Sequence, residues 1–253
     1  MSCSPQPPAG PKIRAVLFDL GNTLIYLDVT VERLNELRVR HLHSVLPAMG
    51  ISVQFEEFQE KLAQLWERSF SEAERTEKEY PATHVFAEIA RNLGVTEETL
   101  TPKFLGRWER EYFGAGVPHW KPFPEARTTL SLLRSRGYKL GLVSNVSSDW
   151  VVRQIMDRLS FTELFEVAVT SARIGMRKPN SKIFSAALRS LGVEAEEAVV
   201  VGDSLSQDIL GAKRLGMKAI HVRRDGDEAG DIKPNAVVTN IAAVPKVLDG
   251  WSR

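Results

Sequence analysis

The chain is expected to be an α/β protein: a doubly wound, Rossmann-like parallel-sheet core carrying an inserted all-helical cap domain. Three observations predict it. The apolar run Ala15-Val16-Leu17-Phe18 ends in an aspartate near the N-terminus. From about Val31 to about Tyr112 the apolar residues fall at helical spacing with no strand signal between them. After Pro118, strand and helix signals alternate to the end. Short β-branched and aromatic runs read as buried strands, and i, i+3, i+4 spacing reads as amphipathic helix. Alternation of the two builds a parallel sheet covered on both faces.

Taken in order, residues 1–12 are small and proline-rich and lack the apolar centre of a signal peptide, so they are expected to be a flexible tail. Residues 13–27 supply the first strand and the loop after it. Residues 28–117 form the insert, in which Phe55, Phe58, Leu62, Leu65, Trp66 and Phe70 keep one helical face, as do Leu105, Trp108 and Tyr112. Gly50, Pro81, Gly94 and Pro102 divide the insert into roughly four helices. Its aromatic residues Trp66, Phe70, Trp108 and Tyr112 read as bundle core. Residues 118–253 complete the core, with strands expected at Lys139–Val143, Glu166–Thr170, Ala198–Gly202, Lys218–Val222 and Ala236–Thr239. Helices are expected near Pro124–Arg136, Ser148–Leu159, Ser181–Leu191 and Gln207–Leu215. An insert placed directly after the first strand lies where a lid would sit.

A formal net charge of +1 argues against bulk binding to nucleic acid or an anionic membrane, though not against a local anion pocket. The single cysteine, Cys3, cannot form an internal disulfide, which suits a reducing cytoplasm. No apolar stretch approaches the roughly 20 residues that span a bilayer. The expectation is a cytoplasmic monomer or homodimer whose partner is a small molecule. The five histidines show no zinc spacing, and the phosphate loop, dinucleotide and serine-elbow signatures are absent.

Four polar sites end apolar runs or follow them: Asp19; Ser144-Asn145; Lys178-Pro179; and Asp203 with Asp208 five residues later. In open α/β sheets, side chains at the carboxyl ends of neighbouring strands converge on one crevice. Three carboxylates there would repel one another unless a hard cation such as Mg²⁺ joined them. A lysine and a hydroxyl suit phosphate oxygens, and an aspartate nucleophile beside them suits covalent phosphoryl transfer.

In this order, Asp19-Leu20-Gly21-Asn22-Thr23-Leu24, Ser144-Asn145, Lys178-Pro179 and Gly202-Asp203-Ser204-Leu205-Ser206-Gln207-Asp208 resemble the four motifs of the haloacid dehalogenase-like (HAD) superfamily. The insert resembles that family's C1-type cap, and the likeness runs from residue 13 to the end. The resemblance implies Asp19 as nucleophile, with Ser144 and Lys178 as catalytic and phosphate-binding groups and Asn145 beside them in the phosphate pocket. It also implies Mg²⁺ held by Asp19, Asp203, Asp208 and the backbone carbonyl of Gly21. The chain departs from the pattern at Gly21, where family phosphatases usually carry a second aspartate as general acid/base. Since a positioned acid/base contributes about 10²- to 10⁴-fold, its loss should slow ester cleavage and spare acyl phosphates most. The function implied is a Mg²⁺-dependent phosphatase of a small phosphorylated metabolite, acting through an aspartyl-phosphate. Gly21 keeps two alternatives open: a 2-haloacid dehalogenase, against which the intact Asp203/Asp208 pair argues, and a non-catalytic phosphate-binding protein.

Overall fold

The computed structural model describes residues 12–224 and 230–251. The expected tail, with Cys3, lies outside the described residues apart from Lys12. In chain order, β1 (Ala15–Phe18) and β2 (Ile25–Leu27) precede four helices, α1 (Val31–Val45), α2 (Phe55–Thr76), α3 (Ala82–Asn92) and α4 (Pro102–Gly114). After them come β3 (Trp120–Pro122), α5 (Ala126–Ser135), β4 (Lys139–Ser144), α6 (Asp149–Arg158), β5 (Val167–Thr170), α7 (Ser171–Ile174) and α8 (Ser181–Leu191). The chain continues through β6 (Ala198–Gly202), α9 (Leu210–Arg214), β7 (Lys218–Val222), β8 (Ala236–Val238) and α10 (Val244–Trp251).

Six strands pair in parallel in the order β5-β4-β1-β6-β7-β8. β1 is therefore central, and the chain winds outward from it in both directions. That reversal of strand order is where open sheets form their crevice. Period-2 alternation divides β1 between two cores. Val16 and Phe18 pack with Leu142, Val199 and Val201 against Leu130 and Leu133 of α5 and Ile155 of α6. Ala15 and Leu17 pack with Val143 and Val200 against Phe184 and Leu188 of α8 and Ala212 of α9. Gly141 belongs to this second packing, because a Cβ there would sit 2.6 Å from Leu17 Cδ2.

The four insert helices bury Phe58, Leu62, Phe86 and Trp108 among themselves, and their apolar cluster runs on without a break into the first sheet face. β2 and β3 join the insert to the core as an antiparallel ribbon, with Leu27 opposite Trp120 and Ile25 opposite Pro122. The periodicity does not reveal this ribbon. Its strands have three residues each, and they pair only because the ends of the insert return to one place. Nor does it reveal the short α7 and the C-terminal α10, and in the expected helix Gln207–Leu215 the segment Leu205–Ile209 forms a π-helical turn that feeds the short α9. This widened turn lets Asp208 fold back, so that its Oδ2 accepts from Ser204 N at 3.1 Å. Among the described residues, no helix is long and apolar enough to cross a membrane.

Candidate active site

Asp19 continues the central ladder, its amide donating to Val201 O at 2.9 Å. The Leu20 carbonyl then accepts from Leu24 N at 2.9 Å and Ile25 N at 3.0 Å, which folds the chain into a tight turn. Asn22 sits in that turn at φ 53, the left-handed region that asparagine tolerates better than most residues. Arg224, just after β7, holds the turn by donating from Nε to Asn22 O at 2.8 Å and from Nη2 to Thr23 O at 3.1 Å.

Lys178 is the hub of the site. Its Nζ donates to Asp19 Oδ1 at 2.5 Å, Asp208 Oδ1 at 2.7 Å and Val143 O at 3.0 Å, so all three of its protons have acceptors. The side chain is almost completely buried. Burial opposes its charge, yet the carboxylates of Asp19 and Asp208 outweigh burial and hold it protonated well above an ordinary lysine. Asp208 lies directly over Gly202, where a Cβ would come within 2.3 Å of its carboxyl carbon; only glycine permits that approach. Burial pushes the Asp208 carboxyl upward, with Lys178 pulling the other way.

Asp203 completes the cluster. Thr23 Oγ1 lies 3.5 Å from its Oδ1, and His221 Nε2 lies 2.9 Å from its backbone carbonyl oxygen. Burial first, and then the neighbouring Asp19, push the Asp203 carboxyl up to about 6. Asp19, Asp203 and Asp208 each offer a carboxylate oxygen, and these oxygens lie within 4.8 Å of one another. Three part- or fully buried carboxylates cluster around one buried ammonium that pairs with two of them, which leaves an excess of negative charge. That donor set fits a hard divalent cation, which prefers oxygen ligands and offsets such a charge.

The site residues expected from the sequence all come together here, in different capacities. Asp19, Gly21, Ser144, Asn145, Asp203 and Asp208 line one cavity of about 820 Å³, with Lys178 beneath its floor. Asn145 uses its whole carboxamide on the framework: Oδ1 accepts from Lys178 N at 2.8 Å, while Nδ2 donates to Lys178 O and Gln207 Oε1, each at 3.0 Å. It positions the lysine loop. Ser148, through Val151 N at 3.2 Å, caps α6, which leaves Ser144 uncommitted to the helix.

Tertiary structure adds partners that carry no signal in the sequence. Glu79, in the connection between α2 and α3, accepts from Ser171 Oγ at 2.6 Å and Arg177 Nη1 at 2.7 Å. At the start of α3, Ala82 N donates to Ser147 O at 2.7 Å, and in the connection Glu77 O accepts from Arg177 N at 2.8 Å. The helical insert thus clasps the two loops that present Ser144 and Lys178. Of the insert aromatics assigned to bundle core, Trp108 is fully buried there, whereas Trp66, Phe70 and Tyr112 also line the cavity.

Replacement of Lys178 by methionine leaves Asp19 and Asp208 buried without a counter-charge. Breaking a buried pair in this way typically costs about 3–5 kcal/mol. The expected outcome is a lower chemical-denaturation midpoint, with part of the loss recovered when Mg²⁺ is added.

A family model described as a haloacid dehalogenase-like hydrolase matches residues 13–216. The chain belongs to the haloacid dehalogenase-like hydrolases. This hydrolase is 36% identical over 216 residues to the glyceraldehyde 3-phosphate phosphatase of Methanopyrus kandleri, covering 84% of each protein. Among solved structures, the HAD phosphatase from Thermococcus onnurineus matches at a TM-score of 0.65 and 29% identity, over 94% of this hydrolase and 99% of that chain. A 2-haloacid dehalogenase from Pseudomonas syringae pv. Tomato DC3000 matches at a TM-score of 0.73 and 26% identity, over the same shares. Phosphatases and dehalogenases thus share the fold, so the fold does not choose between them. The sequence likeness to a phosphatase along most of its length supports a phosphoric monoester hydrolase.

Proposed function

We propose that this hydrolase cleaves a small phosphorylated metabolite in two steps through Asp19. The observation that carries this reading is the position of the Asp19 carboxylate. It stands at the carboxyl end of the central strand, hydrogen-bonded to buried Lys178 and close to Asp203 and Asp208, on the floor of a cavity that the helical insert roofs. A carboxylate oxygen of Asp19 attacks phosphorus, and the ester oxygen leaves with the bonding pair. Water then attacks the phosphorus of the aspartyl-phosphate, and the bond from phosphorus to the Asp19 oxygen breaks. The proton the water loses balances the one the departing alkoxide takes from solvent, so that alcohol and phosphate are released and Asp19 is restored. The Ser144 hydroxyl donates to a phosphoryl oxygen, the positive charge of Lys178 beneath the floor offsets the negative charge gathered above it, and the roof limits bulk water. Asp19, Asp203, Asp208 and the Gly21 carbonyl would hold Mg²⁺, which supplies charge stabilisation to the phosphoryl group. The likeness to a glyceraldehyde 3-phosphate phosphatase makes three-carbon phosphate esters the first substrates to test. The buried Asp203–Asp208 cluster favours phosphoryl chemistry over carbon–halogen displacement.

Metal dependence gives the test. The folded pKa of Asp203 is raised from 3.8 to about 6, so its contribution to stability is present below the unfolded value and is lost as pH rises through the folded one. Metal-free protein should therefore lose melting temperature between about pH 4 and pH 6, and Mg²⁺ should stabilise it more at about pH 8 than at about pH 5. Phosphate ester hydrolysis should cease in EDTA and return with Mg²⁺. Undiminished turnover in EDTA would refute the mechanism.

A further inference from the structure

We infer that Arg38 forms a second anion site in the cavity, so that the substrate carries another oxyanion, carboxylate or phosphate, away from the phosphoryl group attacked by Asp19. This rests on the phosphatase reading and names the substrate class for it. Arg38 lies on α1 and forms part of the wall of the cavity that Asp19 lines. Its guanidinium stands over the rings of Phe113 at 5.0 Å and Tyr112 at 5.8 Å. It has no carboxylate within 4.0 Å among the described residues, and its Nε is buried with no hydrogen-bond partner. Burial works against this charge without a counter-ion to offset it. A part-buried cation whose Nε is shut away from water without an acceptor is an unfavourable arrangement unless a ligand completes it.

Neighbouring charges are committed elsewhere. Glu36, on the same wall, pairs with Arg33 at 2.7 Å and Arg40 at 2.8 Å. Glu32 is held by its own backbone amide and Thr30. Arg177, the other arginine of the cavity, is engaged with Glu79. Trp120 adds an indole Nε1 that is also buried without an acceptor on a residue of this wall. The space for Arg38 is shaped by Gly116, where a Cβ would come within 2.8 Å of Arg38 Nε and 3.2 Å of Nη2. A cavity of about 820 Å³ has room for more than a phosphoryl group.

Calorimetry on the Mg²⁺-loaded protein with non-hydrolysable phosphonates tests this without requiring turnover. The probes are ω-hydroxyalkyl, ω-carboxyalkyl and α,ω-bis-phosphonates of matched chain length. In the native protein, one of the two series that carry a second anionic group should bind about 10- to 100-fold tighter than the hydroxyl series, the range for a hydrogen bond to a charged group. Whichever series is preferred identifies the oxyanion. Arg38→Met should erase the preference while leaving hydroxyalkyl phosphonate affinity and melting temperature near native. If that variant folds poorly, Gly116→Ala, which displaces the guanidinium without removing it, should weaken the preference in the same direction. Equal binding of all three series by the native protein, or an undiminished preference after Arg38→Met, overturns the inference while the phosphatase reading stands. Failure of every phosphonate to bind would overturn both.

Discussion

Asp19→Asn should reduce phosphate ester turnover on the order of 10⁴- to 10⁶-fold, the range seen when a nucleophile or its activating partner is removed. Asparagine keeps the shape of the side chain and an acceptor for Lys178 Nζ, which still has Asp208 Oδ1 at 2.7 Å and Val143 O at 3.0 Å. The fold should therefore persist, with an unchanged circular dichroism spectrum. Native enzyme quenched in acid during turnover should carry phosphate on the peptide containing Asp19, and the variant should carry none. Substantial turnover by Asp19→Asn would mean that water attacks phosphorus directly and that Asp19 has only an electrostatic role.

Gly21→Asp should raise hydrolysis of simple alkyl phosphate esters by about 10²- to 10⁴-fold, the usual contribution of a positioned general acid/base. The position can take the side chain, since a Cβ built at Gly21 meets nothing within 4 Å and Gly21 is not among the residues at positive φ. Gly21 also lines the cavity, two residues from Asp19, the proposed nucleophile. An alkoxide leaving group needs a proton that glycine cannot supply, whereas the leaving group of an acyl phosphate does not. Acyl phosphate hydrolysis should consequently change little. Equal rates for esters in native and variant enzyme would show that another group already protonates the leaving oxygen. The matching experiment on the framework is Lys178→Met, whose effect is on stability as well as rate.

Much of this molecule is legible along the chain, because its strong signals are local. Ala15–Phe18 and Ala198–Gly202 are apolar runs that become buried parallel strands, and their boundaries follow from composition and from the aspartates that end them. Ser147 and Ser148 both read as caps because a hydroxyl before a helix satisfies an otherwise unpaired amide, and it is Ser148 that accepts from Val151 N. Ordered motifs likewise singled out Asp19, Ser144, Lys178, Asp203 and Asp208, which the fold brings together. What they could not convey is the sharing of Lys178 by two aspartates, since residues 19, 178 and 208 meet only after β5, β4, β1 and β6 pair side by side. Nor could they show that Asn145 uses its amide to position the Lys178 loop.

The sequence alone determined the α/β core, the helical insert and the identities of the groups gathered around Asp19, because secondary structure follows short-range apolar spacing and each motif lies within a few residues. Tertiary structure decided the β2–β3 ribbon, the Glu79–Arg177 clasp and the part-buried Arg38 of the cavity wall, whose Nε has no hydrogen-bond partner. Each depends on segments distant in sequence meeting at one place. Burial and the loss or gain of a counter-charge there are properties of the assembled surroundings, and no single stretch of residues encodes them.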